Sequence, residues 1–325
     1  MEKIKLYFAG AGGGGIMSPP VNSMLKEIGI KNRLVSFLYK EQFKEWILFM
    51  EKTPGNMIID SGAFSAWNKG EVVNLNEYIK YVQECSEIAR NNNQNIRIVN
   101  LDVIPGDKGK TMQLNKFIGG ENEIKQNKEL IEICARKGYK NLKILLSEGI
   151  KPIHVFHQGE DFKWLDRMVE LTDYIGISPA NDMPINSKIK WIESVFTYLY
   201  KNNIKVKTHG FAVLIFTVLR DFPWTSCDAA SWKLRAGYGN IYYPDGGFKN
   251  PSFSNGGNVI TVSSRQEGNI SKQLLKQLEN DGYSYEMLQD YKIRYVINAR
   301  YFINLENWLN DYKKNHQFIP HNKFF

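Results

Sequence analysis

Cysteine is scarce in this chain. Its 325 residues hold three, Cys85, Cys134 and Cys227, scattered and odd in number. No CxxC pair exists, so no zinc site and no disulfide framework can be read, and a reducing compartment is the simple inference. Long hydrophobic runs are missing too. The longest, FAVLIFTVL at 211–219, falls short of the roughly 20 residues a membrane helix needs. The opening MEKIKLYF runs directly into a strand pattern, without the charge and cleavage pattern of a signal peptide. The expectation is a cytoplasmic protein. No internal repeat, low-complexity linker or single basic tract is present. The net charge of +8 comes from Lys spread along the whole chain. That balance is compatible with a polyanionic partner without demanding one.

What is present is a repeated arrangement. Short apolar runs keep ending in a polar group beside a small residue: MIIDSGAF at 57–64, IVNLD at 98–102, HVFHQG at 154–159, YIGIS at 174–178, VKTHGF at 206–211 and SCD at 226–228. Each is long enough for one buried parallel strand. With 4–9 and 33–38 they make eight strand candidates, the others being 57–60, 96–101, 152–157, 174–178, 205–209 and 224–228. Helical patterns fill the gaps, as at 75–90, where Tyr78, Ile79, Val82, Cys85 and Ile88 recur at helix spacing. Others lie near 121–137, 161–171 and 187–202. Eightfold strand–helix alternation predicts an α/β protein, a (β/α)8 TIM-like barrel, with an open doubly wound sheet as the alternative. A barrel gathers its chemistry at the C-terminal strand ends. Asp60, Asp102, Gln158, Gly176, Ser178, His209 and Asp228 are therefore expected to converge on one pocket.

The stretch 103–120 reads as a loop. After Asp228 the character changes: 237–263 is rich in Gly, Asn, Pro and Tyr and predicts irregular structure with one β-hairpin. Residues 271–281 and 284–315 read as helices that close and cover the barrel. The expected division is a catalytic barrel over 1–236 and a covering extension over 237–325.

GAGGGG at 10–15 satisfies the letters of the GxGxxG dinucleotide fingerprint. The fingerprint also needs an acid at the end of the second strand. Here that strand ends in Leu-Tyr-Lys before Glu41, a poor match. The segment reads instead as a flexible first βα loop near substrate. DSGAFSAW at 60–67 is the sharpest local signal. Its acid sits where strand meets loop, and Gly62 lets the backbone approach a ligand. A plain N-cap role for Asp60 on the next helix is the competing reading. His154 is expected to point into the barrel wall or helix layer, His157 to stand behind the site, Cys227 to be a buried thiol, and Trp224 and Trp232 to pack the core or rim.

DSGAFSAW resembles the DSGGFQ-type motif of the queuine/archaeosine tRNA-guanine transglycosylases. It is closer to their phage and genomic-island relatives that insert 7-deazaguanines into DNA. The other strand ends follow in the family's order. NLDVIP at 100–105 is similar to the base-recognising segment and VFHQGED at 155–161 to the QGG segment. YIGISP at 174–179 resembles the GG-containing strand, KTHGFA at 207–212 the MGVG-type strand, and TSCDAASW at 225–232 the segment of the nucleophilic Asp. The resemblance spans roughly 55–235.

It implies Asp228 as nucleophile and Asp60 as general acid/base. Asp102, Gln158 and Gly176, with Gly159 and Gly210 beside them, would bind a guanine-like base. Phe64 and His209 would sandwich it, and Ser61, Gly62 and Ser178 would support the site. The sequence departs from the family pattern at Ala63, which replaces a glycine, and Ser65, which replaces the glutamine. It lacks the Cys3His zinc cluster after the last strand, so no metal is expected, and DNA is favoured over tRNA as partner. The implied reaction exchanges guanine for a 7-deazaguanine base such as preQ0 or preQ1, without a cofactor, in a bacterial cell or a phage-infected host. A second copy of the chain or a helper subunit stays open as partner.

The chemistry of the residues agrees. Base exchange is displacement at a glycosidic carbon, and two carboxylates serve such reactions, one attacking C1′ and one moving the base's proton. A third, Asp102, suits a donor-bearing base edge. A DNA glycosylase that excises without replacing, a tRNA-guanine transglycosylase and a non-catalytic nucleic-acid-binding barrel are the alternative readings.

Overall fold

The computed structural model describes residues 3–10, 21–104, 121–180, 183–264 and 270–320. GAGGGG, apart from Gly10, and most of the 103–120 stretch lie outside the described residues. The chain runs β1 (Lys5–Phe8), α1 (Val21–Glu27), β2 (Asn32–Ser36), α2 (Glu41–Met50), β3 (Gly55–Asp60), α3 (Ala63–Lys69), α4 (Leu75–Asn91) and β4 (Gln94–Val99). It continues through α5 (Glu121–Ser147), β5 (Pro152–His157), α6 (Phe162–Val169), β6 (Tyr174–Ser178), α7 (Ile185–Lys201), β7 (Lys207–Gly210), α8 (Phe216–Asp221) and β8 (Ser226–Ala229). The eight strands form one closed parallel barrel, β1 through β8 in sequence order. The barrel shuts where β1 pairs with β8, Leu6 opposite Cys227 and Tyr7 opposite Asp228. The open doubly wound sheet is thereby excluded.

Side chains alternate across each strand, so every strand serves two cores. Tyr7, Leu34, Ile58, Val99, Ile153, Val155 and Tyr174 fill the barrel. Leu6, Phe8, Met57, Ile59, Phe156, Ile175 and Ile177 face outward and pack under the helices. Burial on both faces explains why the strands read as nearly continuous apolar runs. Several of the helices start where a short polar side chain accepts an orphan N–H group. Asn74 Oδ1 caps α4 at 2.9 Å from Asn76 N, and Asp161 Oδ1 caps α6 at 2.9 Å from Lys163 N.

Beyond α9 (Ser231–Gly237), β9 (Asn240–Tyr243) and β10 (Asn258–Thr261) form the expected antiparallel hairpin. Three helices follow, α10 (Lys272–Asn280), α11 (Tyr285–Gln289) and α12 (Tyr291–Tyr312). α12 is buried along most of its length and belongs to the same apolar cluster as the outer barrel layer. It also satisfies backbone that the strands leave open. β1 and β2 are paired only at Phe8–Arg33. Glu306 of α12 accepts from Leu6 N at 2.6 Å and from Asn32 Nδ2 at 3.1 Å. Asn310 Oδ1 accepts from Ile4 N at 2.8 Å. Asn298 Oδ1 accepts from Tyr242 N at 2.7 Å, while its Nδ2 donates to the Trp232 carbonyl at 2.8 Å. Among the described residues, no helix is long and apolar enough to cross a membrane.

Candidate active site

A cavity of about 310 Å³ opens at the C-terminal ends of the strands. Asp60, Phe64, Asp102, Gln158, Ser178 and Asp228 all line it. The three acids arrive from β3, from the turn after β4 and from β8. Tyr78 of α4 sits beneath two of them. Its buried hydroxyl lies 2.7 Å from the Val99 carbonyl and 3.2 Å from the Ile59 carbonyl, tying the ends of β3 and β4 together. Ser61 adds a second tie: its hydroxyl donates to Asp102 Oδ1 at 3.3 Å.

Asp60 accepts from Gly62 N at 2.9 Å through Oδ2. The helix cap itself is Gly62, not Asp60. Gly62 is left-handed, with φ +75°, and a Cβ there would stand 2.8 Å from Leu38 Cγ and 2.9 Å from Ser36 Oγ. Glycine is required on both counts. Burial, then the neighbouring Asp102 carboxylate and, more weakly, Asp228, push the Asp60 carboxyl up to about 7, against the lowering effect of the Gly62 N–H. A carboxyl in that range can both give and take a proton near neutrality.

Asp228 stands on β8. Its Oδ1 accepts from Ala212 N at 2.9 Å. Ala212 takes a left-handed φ of +52° to aim that N–H, a conformation that costs an alanine roughly 1–3 kcal/mol. His209 Nε2 is 3.4 Å from the same oxygen, without hydrogen-bond geometry.

His209 is where the structure corrects the sequence reading. Its side chain is 0% exposed and does not line the cavity. Its Nδ1 lies 2.5 Å from Ser226 Oγ, which is 2.6 Å from Tyr174 Oη, so it joins a polar chain inside the barrel. Phe211 packs edge-on against it, ring centroids 4.5 Å apart, and lines the cavity instead. Among the described residues, Phe64, 43% exposed, Trp67 and Phe211 put aromatic rings on the cavity, and His209 does not.

The glycines also act differently from expectation. Gly159, Gly176 and Gly210 do not line the cavity. Gly176 makes room for Phe211, whose Cε2 would lie 2.3 Å from an added Cβ. Gly210 makes room for Cys227 Sγ, at 2.9 Å from an added Cβ. Gly159 turns the chain after Gln158 with φ +108°. Gln158 Oε1 accepts from Ala180 N at 3.1 Å, which leaves its N–H groups as what it can offer a ligand.

His157 stands nearer the chemistry than expected, lining the cavity itself. Its Nε2 is 2.9 Å from Asp102 Oδ2 and its Nδ1 is 3.0 Å from Glu160 Oε1. Carboxylates only accept, so a ring with a carboxylate on each nitrogen carries both protons. Burial alone would pull this imidazole down, but the hydrogen bonds it donates to Asp102 and Glu160 outweigh it and lift it to about 10. His157 is thus a fixed cation that holds Asp102 in place. His154, one pleat below, behaves as expected. It faces the helix layer, 2.8 Å from Asn100 Nδ2, and burial holds it down near 3.

Sequence reasoning passed over Glu160, Trp67, Phe211 and Tyr78. His157 and Glu160 bracket the Gln-Gly pair at a spacing of three, and that was the available signal. Cys227, Trp224 and Trp232 are core groups as expected. Among the described residues, no group of three or more His, Cys, Asp or Glu side chains is placed to hold a metal ion. Comparison with known protein families and with curated protein sequences finds no match for this chain.

Proposed function

We propose that this protein is a nucleic-acid guanine transglycosylase, acting on DNA, that exchanges guanine for a 7-deazaguanine base through a covalent aspartyl-ribosyl intermediate. The observation that carries the reading is the pairing of two carboxyl groups in one cavity, Asp228 held by a backbone N–H and Asp60 raised to about 7. Such a pair divides nucleophile from proton carrier. In the first half-reaction an Asp228 oxygen bonds to C1′. The C1′–N bond breaks, its electron pair leaves with guanine, and the protonated Asp60 supplies the proton. In the second, Asp60 takes the proton from the incoming base, whose nitrogen attacks C1′ and releases Asp228.

The remaining lining fits a flipped base. Asp102 is an acceptor for a donor edge, Gln158 offers N–H groups, and Phe64 and Phe211 present rings on which a base can stack. The volume, at the small end of ligand pockets, suits a single base rather than a dinucleotide. No cysteine follows Cys227, so the Cys3His set of the tRNA-acting relatives has no counterpart. The net charge of +8 suits a phosphate backbone. Incubation with DNA and labelled guanine tests the reading. Exchange incorporates label. A glycosylase leaves abasic sites instead, and a binding protein does neither; either result would remove the proposal.

A further inference from the structure

Asp60 and Asp102 stand close enough to feel each other's charge, yet the protein surrounds them differently. Among the described residues, Asp60 finds backbone donors only, with Gly62 N at 2.9 Å from Oδ2. Asp102 has a side-chain donor on each oxygen. Ser61 Oγ donates to Oδ1 at 3.3 Å, and His157 Nε2 donates to Oδ2 at 2.9 Å. The second donor is a cation, because Glu160 Oε1 holds the far nitrogen of the ring at 3.0 Å. The turn after β5 makes that contact possible. Gly159 takes φ +108° and Glu160 N donates to the His157 carbonyl at 3.1 Å, which brings the Glu160 side chain back onto the ring.

Two carboxyl groups in one site do not both ionise readily, so the pair keeps one proton near neutrality. The member without the cation keeps it. Other groups nearby do not reverse this order. Asp228 adds negative charge, and no Lys or Arg is among the described lining residues. His154, behind His157, is held neutral by burial and bonds Asn100. Tyr78, beneath both acids, gives its hydroxyl to backbone carbonyls.

We infer that His157, oriented by Glu160, is a positioning residue that assigns the single proton of the Asp60–Asp102 pair to Asp60. The proton then sits on the acid that delivers it, while Asp102 stays an acceptor toward the base edge. What each acid does with its state rests on the base-exchange reading above; where the proton sits rests on the hydrogen bonds.

Carbon NMR of the full chain, labelled at the aspartate carboxyls, tests the placement. Asp60→Asn and Asp102→Asn assign the two signals. In the wild type the Asp60 signal is expected to titrate at about 7, and the Asp102 signal not to follow that step. His157→Gln keeps a donor and removes the charge, so there both signals should share the step. The KM for guanine in the exchange reaction is a second readout. His157→Gln should raise it at least roughly tenfold below about pH 6, and much less above about pH 8, where both acids ionise. The wild-type spectra decide the placement whether or not the variant folds. An Asp102 signal that titrates together with Asp60 in the wild type overturns the inference. An Asp102 signal unmoved in His157→Gln, or a KM penalty of one size at every pH, overturns the role of His157. Absence of base exchange in the wild type overturns the reading above and the use of the proton with it. The titration needs no substrate, so the two failures are told apart.

Discussion

Asp60 ties the chemistry to pH. Folding raises its carboxyl from the usual 3.8 to about 7. The unfolded chain therefore releases this proton near pH 4, while the folded chain keeps it to about pH 7. Stability from this group is complete below pH 4 and is lost as pH rises through 7. Asp60→Asn cannot ionise, so it should gain on the wild type between pH 5 and pH 8 by about 1–3 kcal/mol, allowing for solvent at the cavity. Urea denaturation at the two pH values measures this, and a difference that does not change with pH would contradict it. Gly176→Ala probes the cavity wall. The new methyl displaces Phe211, so base affinity should fall at least roughly tenfold while stability drops by only about 1–2 kcal/mol. Unchanged base affinity would show that Phe211 does not contact the ligand. At this scale the acids were legible because a lone Asp after an apolar run has few other uses. His209 and Phe211 were not distinguished, since both face inward at a spacing of two. Which pleat reaches the cavity depends on barrel stagger, which no local pattern carries.

At the scale of elements, α12 is the piece the barrel leans on. Asn298 is fully buried and bonds Tyr242 N, the Trp232 carbonyl and the Asn240 carbonyl. Asn298→Leu keeps the volume but orphans those groups, and should cost about 2–4 kcal/mol in denaturant unfolding. A loss under about 1 kcal/mol would mean that the helix is only a cover. The strands were readable to within about two residues because burial on both faces makes each a distinct apolar run. Helix ends were less so. The pattern near 121–137 predicts a shorter helix than α5, which runs on to Ser147. Gly138 sits inside this helix, its carbonyl accepting from Asn100 Nδ2 at 3.0 Å. The 284–315 stretch reads from its sequence as one helix. It breaks at Asp290, which ends α11 and caps α12 through Lys292 N at 2.8 Å.

The chain carries a net charge of +8, while the described residues lining the cavity include four acids and one histidine. The net positive charge suits a polyanion, and the acidic lining suits a donor-rich ligand. DNA affinity should therefore fall at least roughly tenfold between 50 and 200 mM salt, through counterion release. Salt-independent affinity in a binding titration would contradict a phosphate-bound partner. The most direct test of the central claim is to trap the intermediate. Protein is mixed with DNA and a competing base, denatured, resolved by gel, and the linked residue is located by peptide mass. The expected result is a protein–DNA adduct at Asp228 in the wild type, and none in Asp228→Ala, which still binds DNA. An adduct that persists in Asp228→Ala, or base exchange by the wild type with no adduct, would contradict the account.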